Sequence, residues 1–385
     1  MDQDTGQLGH RGLSRRRFLA LTGTSVTAMI LASCAAPAAQ APAAPPASAP
    51  PPPAPTAAPA AAAAPPAAPA PTAAAVPAAP AIGPAEKTKI VWSTWNPNYA
   101  NEAIIFIAID KGFYKDEGLE VQVVDTDQGL EGAVGGSIDI AHQDTGPFVA
   151  AWQKGIKAKA IAPWRTAEFL GFVVKKEIES QADLNANRVF VDVAKGDRSQ
   201  IMRQQMLKDD GLDTEKAGVQ WIQMSGGSDP KAMAFVDGKI DGTLILPRHI
   251  KQVEPVGRIV YMNKITWPQE CLIATDAFIA KNPNAITRFL RATLKARQIF
   301  AENSNKDYVI KMMTGKGFKI AQMYVDSYEY ETVQYTPDGS FEVDDMTKLL
   351  QSWGLNPLPK IAEFMDVKYL NAAQSSLGLK PRPTW

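Results

Sequence analysis

The chain has 385 residues, 40 of them basic and 40 acidic, so it carries no net charge. With no excess field to attract nucleic acid or an acidic substrate, neither partner is expected. The only two cysteines, Cys34 and Cys271, fall in the leader and in the folded part respectively, which rules out a disulfide within the fold. An exported protein of this size relies on its core instead.

The chain opens with Ser14-Arg15-Arg16-Arg17-Phe18-Leu19 and an apolar run to Ala32. A charged start followed by a short hydrophobic segment is the pattern of an export signal, here of the twin-arginine class, and it is too short to span a bilayer. The run closes on Leu31-Ala32-Ser33-Cys34, which resembles the lipobox of bacterial lipoproteins and implies diacylation of Cys34. Residues 1–34 are therefore expected to be a lipoprotein signal that leaves the protein lipid-anchored on the outer face of the cell membrane. Residues 35–85 are almost wholly alanine and proline. Such a segment cannot bury a core, and in polyproline geometry it would reach on the order of 150 Å.

From Lys87 onward, extended apolar runs alternate with helical ones. The first unit spans Trp92 to Asp125: strand, loop, helix over Ile104 to Ile109, glycine stop at Gly112, and a second strand at Leu119, Val121 and Val123. Further strands are predicted at Ile138 to Ala141, Ala160 to Pro163, Phe172 to Val174, Val189 to Val193, Val219 to Met224, Gly242 to Leu246, Arg258 to Met262 and Cys271 to Ala274. After Asn282-Pro283 the pattern turns helical to about Met313, with more helices from Ile320 and Asp344. Cys271, next to apolar Leu272 and Ile273, reads as a buried strand residue.

The first unit carries a resemblance. Trp95, Pro97 and Asn98, followed after a helix by Gly112, Phe113, Tyr114, Glu117, Gly118, Leu119 and Val121, resemble the opening of the THI5-like and alkanesulfonate-type (NMT1) solute-binding proteins of ABC transporters. Where that pattern has a histidine, this chain has Asn101. The resemblance implies an α/β, two-lobed periplasmic-binding-protein type II fold with a central ligand cleft. It also implies a receptor that works with a membrane permease and a separate ATPase.

An internal echo fits two lobes. Gly132-Ala-Val134-Gly-Gly136-Ser-Ile138-Asp139 recurs as Ala234-Phe-Val236-Asp-Gly238-Lys-Ile240-Asp241, each a helix stopping at a glycine before an Ile-Asp step into a strand. Lobe I is expected over residues 86–168 and 272–385, and lobe II over 169–271. Four loops should then face one another: Trp95 to Asn101, His142 to Gly146, Ala194 to Ser199 and Leu246 to His249. Chain crossings near Pro163 to Gly171 and Ile265 to Leu272 would form the hinge.

No phosphate loop, dinucleotide fingerprint, HExxH or CxxC occurs. His142 and His249, with Asp144, could in principle meet on a metal, but chain-distant histidines more often serve as ordinary hydrogen-bonding groups, and no metal is expected. Two conceivable catalytic couples, Cys271 with His249 and Asp139 with Asp241, lack a suitable context, and the cysteine-rich motif of the THI5-like enzymes is missing. The chain is therefore expected to be a monomeric receptor without a cofactor, not an enzyme. The expected ligand groups are the rings of Trp95, Tyr99 and Trp164 and the polar side chains of Asn96, Asn98, Asn101, Asp144, Thr145, Arg165, Arg198, Ser199 and Glu270. Trp267 is expected near the cleft floor, and Trp92, Trp152 and Trp221 in the core. Within the resembled family this set points to a flat heteroaromatic vitamin, best riboflavin as transported ligand. A thiamine pyrimidine precursor or a sulfonate or nitrate anion is the alternative, and a THI5-like enzyme the alternative of another class.

Overall fold

The computed structural model describes residues 82–94, 102–192, 198–225 and 227–384, with residues 198 and 199 described by their backbone alone. The expected signal, Cys34 and nearly all of the Ala/Pro segment lie outside these residues, as do Trp95, Asn96, Asn98, Tyr99 and Asn101.

Among the described residues ten strands make two five-stranded sheets. They are β1 Lys89–Thr94, β2 Glu120–Asp125, β3 Ile140–Asp144, β4 Ala158–Pro163, β5 Glu168–Lys175, β6 Val189–Asp192, β7 Gln220–Gln223, β8 Gly242–Ile245, β9 Gly257–Ile265 and β10 Glu270–Thr275. The first sheet runs β2-β1-β3-β10-β4 and the second β7-β6-β8-β5-β9. In each, four strands share one direction and the fourth in the order runs against them: β1 pairs in parallel with β2 and β3, while β10 runs antiparallel to β3 and β4. Likewise β6 pairs in parallel with β7 and β8, and β5 runs antiparallel to β8 and β9. The fourth strand of each sheet is the first one the chain forms after passing over from the other sheet. This is the two-lobed α/β solute-binding fold.

Alternate residues feed opposite faces of each sheet. Ile90, Trp92, Ile140 and Leu272 enter one core, while Ala141, Cys271 and Ile273 enter another. In the second sheet Phe172, Val174 and Phe190 face one side, and Val173, Val191 and Ile245 the other. Both faces are apolar because both are covered. The helix Pro283–Ala301 supplies a large cover, burying Ile286, Phe289, Leu290, Leu294 and Phe300 along one stripe and packing on the helix Ala103–Asp110, apolar but for its last residue. The single helix expected to run to Met313 is broken at Glu302: a short turn over Asn303–Asn305, held by the Asn305 side-chain amide on the Ile299 carbonyl, separates it from the helix Lys306–Gly315. β3 also starts two residues later than the Ile138 run suggests, since residues 137–139 are spent closing the preceding helix.

That closure repeats with the echo. Gly136 (φ 82°) and Gly238 (φ 72°) take the left-handed conformation that ends each helix. The N–H of Ser137 reaches the Gly132 carbonyl, and that of Lys239 reaches the Ala234 carbonyl, each at 3.0 Å. Asp139 then grips β1 twice: its backbone N–H donates to the Val91 carbonyl (2.9 Å), and its carboxylate accepts from the Val91 N–H (2.9 Å) and from Lys87. Asp241 grips β6 the same way through Val189, with bonds of 2.8 Å each, and its carboxylate also meets Lys175 and Arg188. The two aspartates are structural fasteners, one in each sheet.

Candidate functional site

The chain passes between the sheets twice, at residues 164–167 and 266–269. These crossings are bonded to each other: the Trp164 N–H donates to the Glu270 carbonyl at 2.6 Å, and Arg165 Nη2 lies 2.5 Å from Glu270 Oε1. A cavity of about 200 Å³ opens beside them. Arg165 and Glu270 line it from the crossings, Glu168 and Phe169 from β5, and Leu246 to Arg248 from the turn after β8. Tyr324, Glu331 and Gln334, from the helical segment near the carboxyl end, complete the wall.

The wall is charged. Its cations are already engaged. Arg248 forks onto Asp229 and Ser228 and lies over the Tyr324 ring, with the guanidinium carbon 5.1 Å from its centre. Arg165 is paired with Glu270. Burial works against charge on Glu270, yet Arg165 and His142 together hold its carboxyl below the ordinary range. The other carboxylates behave differently: burial raises Glu168 and Glu331 above the ordinary range and pushes Asp144 up to about 6. Asp144 occupies the N-cap position of the helix Thr145–Gln153, but its carboxylate makes no capping bond there. An aspartate at that position normally accepts from the first helical turn.

His142, on β3, is fully buried, and its Nε2 lies 3.0 Å from Glu270 Oε2. Its Nδ1 faces Glu102 Oε1 at 3.6 Å, and Glu102 in turn accepts from the Thr94 hydroxyl at 2.6 Å. Its counterpart in the second sheet, His249, accepts from the Leu246 N–H at Nδ1, so its Nε2 carries the proton that goes to Asp229 (2.9 Å). Burial lowers the His249 pKa, in keeping with a neutral ring. The two histidines thus have separate carboxylate partners. Among the described residues no group of three histidine, cysteine or acidic side chains is placed to hold a metal ion. Cys271 is buried in β10, and burial pushes its thiol up to about 12.

Of the expected ligand residues, the structure brings Arg165 and Glu270 to the cavity wall, with Asp144 close enough to feel both. Thr145 is turned inward to fasten the second crossing: its hydroxyl donates to the Pro268 carbonyl and its N–H to the Gln269 carbonyl. Arg198 and Ser199 open the helix Arg198–Asp209. Trp164 must be corrected. Its ring is fully buried, tilted against Trp92 at 5.8 Å and edge-on to Tyr335 at 6.2 Å, so both faces are covered by protein. The neighbouring Arg297, itself buried, donates to the Trp164 and Thr336 carbonyls and locks this crossing in the core. Trp267 is half-buried against the core face that holds Phe148 and Met346. Trp92 and Trp221 are core, and Trp152 is half-buried against Phe364.

Glu168, Phe169, Arg248, Tyr324, Glu331 and Gln334 were not anticipated. The first three lie within segments the sequence marks as a crossing and a cleft loop, so their place was readable. The last three come from a helical stretch whose spacing gives no hint that it reaches the cleft.

The model of the family described as NMT1/THI5 like matches residues 99–306, more than half of the chain. The chain belongs to this family. Solved structures of similar fold agree with the architecture above. A periplasmic sulfonate-binding protein of an ABC transporter from Methylobacillus flagellatus matches with a TM-score of 0.57 at 18% identity, over 76% of this chain and 96% of that one. The periplasmic aliphatic sulphonate binding protein of Escherichia coli matches at 0.50 and 14%, over 74% of this chain and 99% of that one. A desulfurization enzyme shares the fold as well, at 0.51 and 13%, over 75% of this chain and 99% of that one. At such identities these likenesses speak for the fold alone. No curated protein matches the sequence. Within the NMT1/THI5-like frame, the cavity between the two sheets is the place where a ligand would touch both lobes.

Proposed function

We infer that the protein is an exported solute-binding lipoprotein of an ABC importer, anchored through Cys34, that captures a small heteroaromatic molecule between its lobes and delivers it to a permease. The observation that carries this reading is the cavity lined jointly by the two crossings, β5 and the turn after β8. A ligand there touches groups from both lobes, which is what allows it to bias an open and a closed state. The fold alone does not separate receptor from enzyme, since a desulfurization enzyme shares it.

The wall chemistry supports a ligand class. Three carboxylates and two arginines line the cavity, and both arginines already have carboxylate partners. A sulfonate or nitrate would meet surplus negative charge, whereas a molecule rich in N–H and O–H donors would find acceptors. Riboflavin, with an imide N–H and a hydroxylated chain, is our named candidate. The volume favours a second reading: about 200 Å³ is below the 300 to 1,000 Å³ of sites for drug-sized ligands, and it suits a single aminopyrimidine ring or one end of a larger molecule.

Titration of the purified protein with riboflavin, a thiamine pyrimidine and taurine tests both. Riboflavin binding should quench indole and flavin fluorescence together. Trp95→Ala should weaken it by about 5-fold to 150-fold, the equivalent of about 1 to 3 kcal/mol of lost burial and stacking. Absence of riboflavin binding at about 10 µM removes that candidate, and tight, salt-sensitive taurine binding removes the ligand class.

A further inference from the structure

Glu117 and Asp192 show how this chain buries a carboxylate for structure. Glu117, 2% exposed, has Arg288, Arg291 and Lys295 around it, and Arg203 donates to both oxygens of Asp192 at 2.8 Å. Two carboxylates on the cavity wall lack such a cation. Among the described contacts Glu168 has no ion pair or hydrogen bond, and Glu331, 7% exposed, has only the Gln334 side-chain amide at 3.2 Å. The arginines beside them are engaged elsewhere, Arg165 on Glu270 and Arg248 on Asp229.

The first crossing holds these two groups over one cavity. The Gln334 carbonyl accepts from the N–H groups of Thr166 (2.8 Å) and Ala167 (3.1 Å) and from the Thr166 hydroxyl (3.1 Å). Glu168 follows that joint directly at the start of β5, and Glu331 precedes it by three residues in the helix Tyr328–Thr332. Phe169 closes the joint edge-on against Tyr330 at 5.2 Å. The second sheet thus supplies Glu168, while Glu331 comes from a helix packed through Tyr328 into the core of the first.

We propose that the cavity takes its ligand by a positively charged nitrogen, an amidinium or protonated amine, held between Glu168 of one lobe and Glu331 of the other. This rests on the receptor reading and narrows its ligand class. A neutral donor leaves the charge of these carboxylates uncompensated, whereas a nitrogen cation bearing two or more N–H groups meets both with charge-assisted bonds. The Phe169 ring, also on the wall, favours the same charge.

Around Glu168 lie Arg165, Arg203 and Glu270, with Asp144 on β3. Around Glu331 lie Arg248, Arg165, Glu270 and Tyr335. Burial outweighs these arginines and holds both carboxyls above the ordinary 4.5. A bound cation reverses part of that shift, so binding releases protons and tightens with rising pH until the carboxyls of the free protein have ionised.

Three probes of one shape and different charge test the proposal on the full-length protein: benzamidine, benzamide and benzoate, titrated by calorimetry at constant ionic strength. Benzamidine should bind about tenfold or more tighter than benzamide, with benzoate weakest. Glu168→Gln and Glu331→Gln should each remove most of that preference, whereas Glu329→Gln, exposed on the same helix, should leave it intact. Between about pH 5 and 8, where benzamidine stays charged, its affinity should rise, and the heat should depend on the buffer as protons are released. Equal affinity for benzamide, a preference that survives both substitutions, or no benzamidine binding at about 5 mM overturns the proposal. Each substitution removes an uncompensated charge, so denaturation midpoints should hold or rise; if one variant does not fold, the other and the pH series decide. Binding of riboflavin or the pyrimidine in the titration above, with no charge preference among these probes, removes this inference and leaves the receptor reading in place.

Discussion

Asp144 shows at the scale of one residue how a buried carboxylate costs stability. It sits at a helix N-terminus, where a carboxylate is ordinarily favoured, yet it leaves the cap unmade, and burial pushes its pKa up to about 6 from 3.8. The folded chain then holds a proton that the unfolded chain releases between about pH 4 and 6. Stability from this group is highest below pH 4, declines across that window and is level above it. Asp144→Asn should therefore stabilise the protein at pH 7 by up to about 2 kcal/mol and leave it unchanged near pH 4, as read from denaturant midpoints at the two pH values. Ligand affinity should fall in the same variant, since a carboxylate acceptor is lost. Stabilisation with full affinity would show that Asp144 takes no part in binding.

Among the elements, the paired fasteners make the sharper case. Asp139 and Asp241 each bind the first residues of a central parallel strand by a backbone bond and a carboxylate bond. Each belongs to its own sheet, with no shared partner among the contacts described. Asp139→Ala and Asp241→Ala should each cost about 1 to 3 kcal/mol, because each leaves a strand N–H and nearby lysine unsatisfied. The double variant should equal the sum within about 0.5 kcal/mol, measured by chemical denaturation where unfolding remains a single transition. A clear shortfall from additivity would mean that the two sheets are coupled through these residues. This repeat was legible in the sequence, since a glycine stop and an Ile-Asp step are set by local backbone geometry. Most of the strands were legible as short apolar runs, such as β5 and β10. The break at Glu302 was not, because a side-chain amide bond, rather than helix propensity, interrupts the pattern there. Trp164 was misread on similar grounds. Spacing places it beside a crossing, but only packing against Trp92, Tyr335 and Arg297 decides which way its ring turns.

For the whole molecule, the arrangement of strands sets how the lobes can move. Each sheet borrows its fourth strand from the chain returning from the other, so two crossings join the lobes, and these are braced together through Glu270. Two adjacent, mutually bonded connecting segments bend readily about one axis and resist twisting about the others, which is the geometry of hinge closure. The cavity lies beside that axis and takes wall residues from both sides, so a ligand bound to all of them gains contacts only as the lobes approach. Its binding free energy must then appear as a shift toward a more compact form. Small-angle scattering on the protein with saturating ligand should show a smaller radius of gyration than without. At about 100 times the dissociation constant, the same ligand should add about 2.7 kcal/mol to stability. Stabilisation of that size with an unchanged radius would place the ligand within one lobe and leave the crossings as passive connections. Contraction in unmodified protein that is lost when Glu270→Gln breaks the brace, with ligand still bound, would assign the bending axis to the paired crossings themselves.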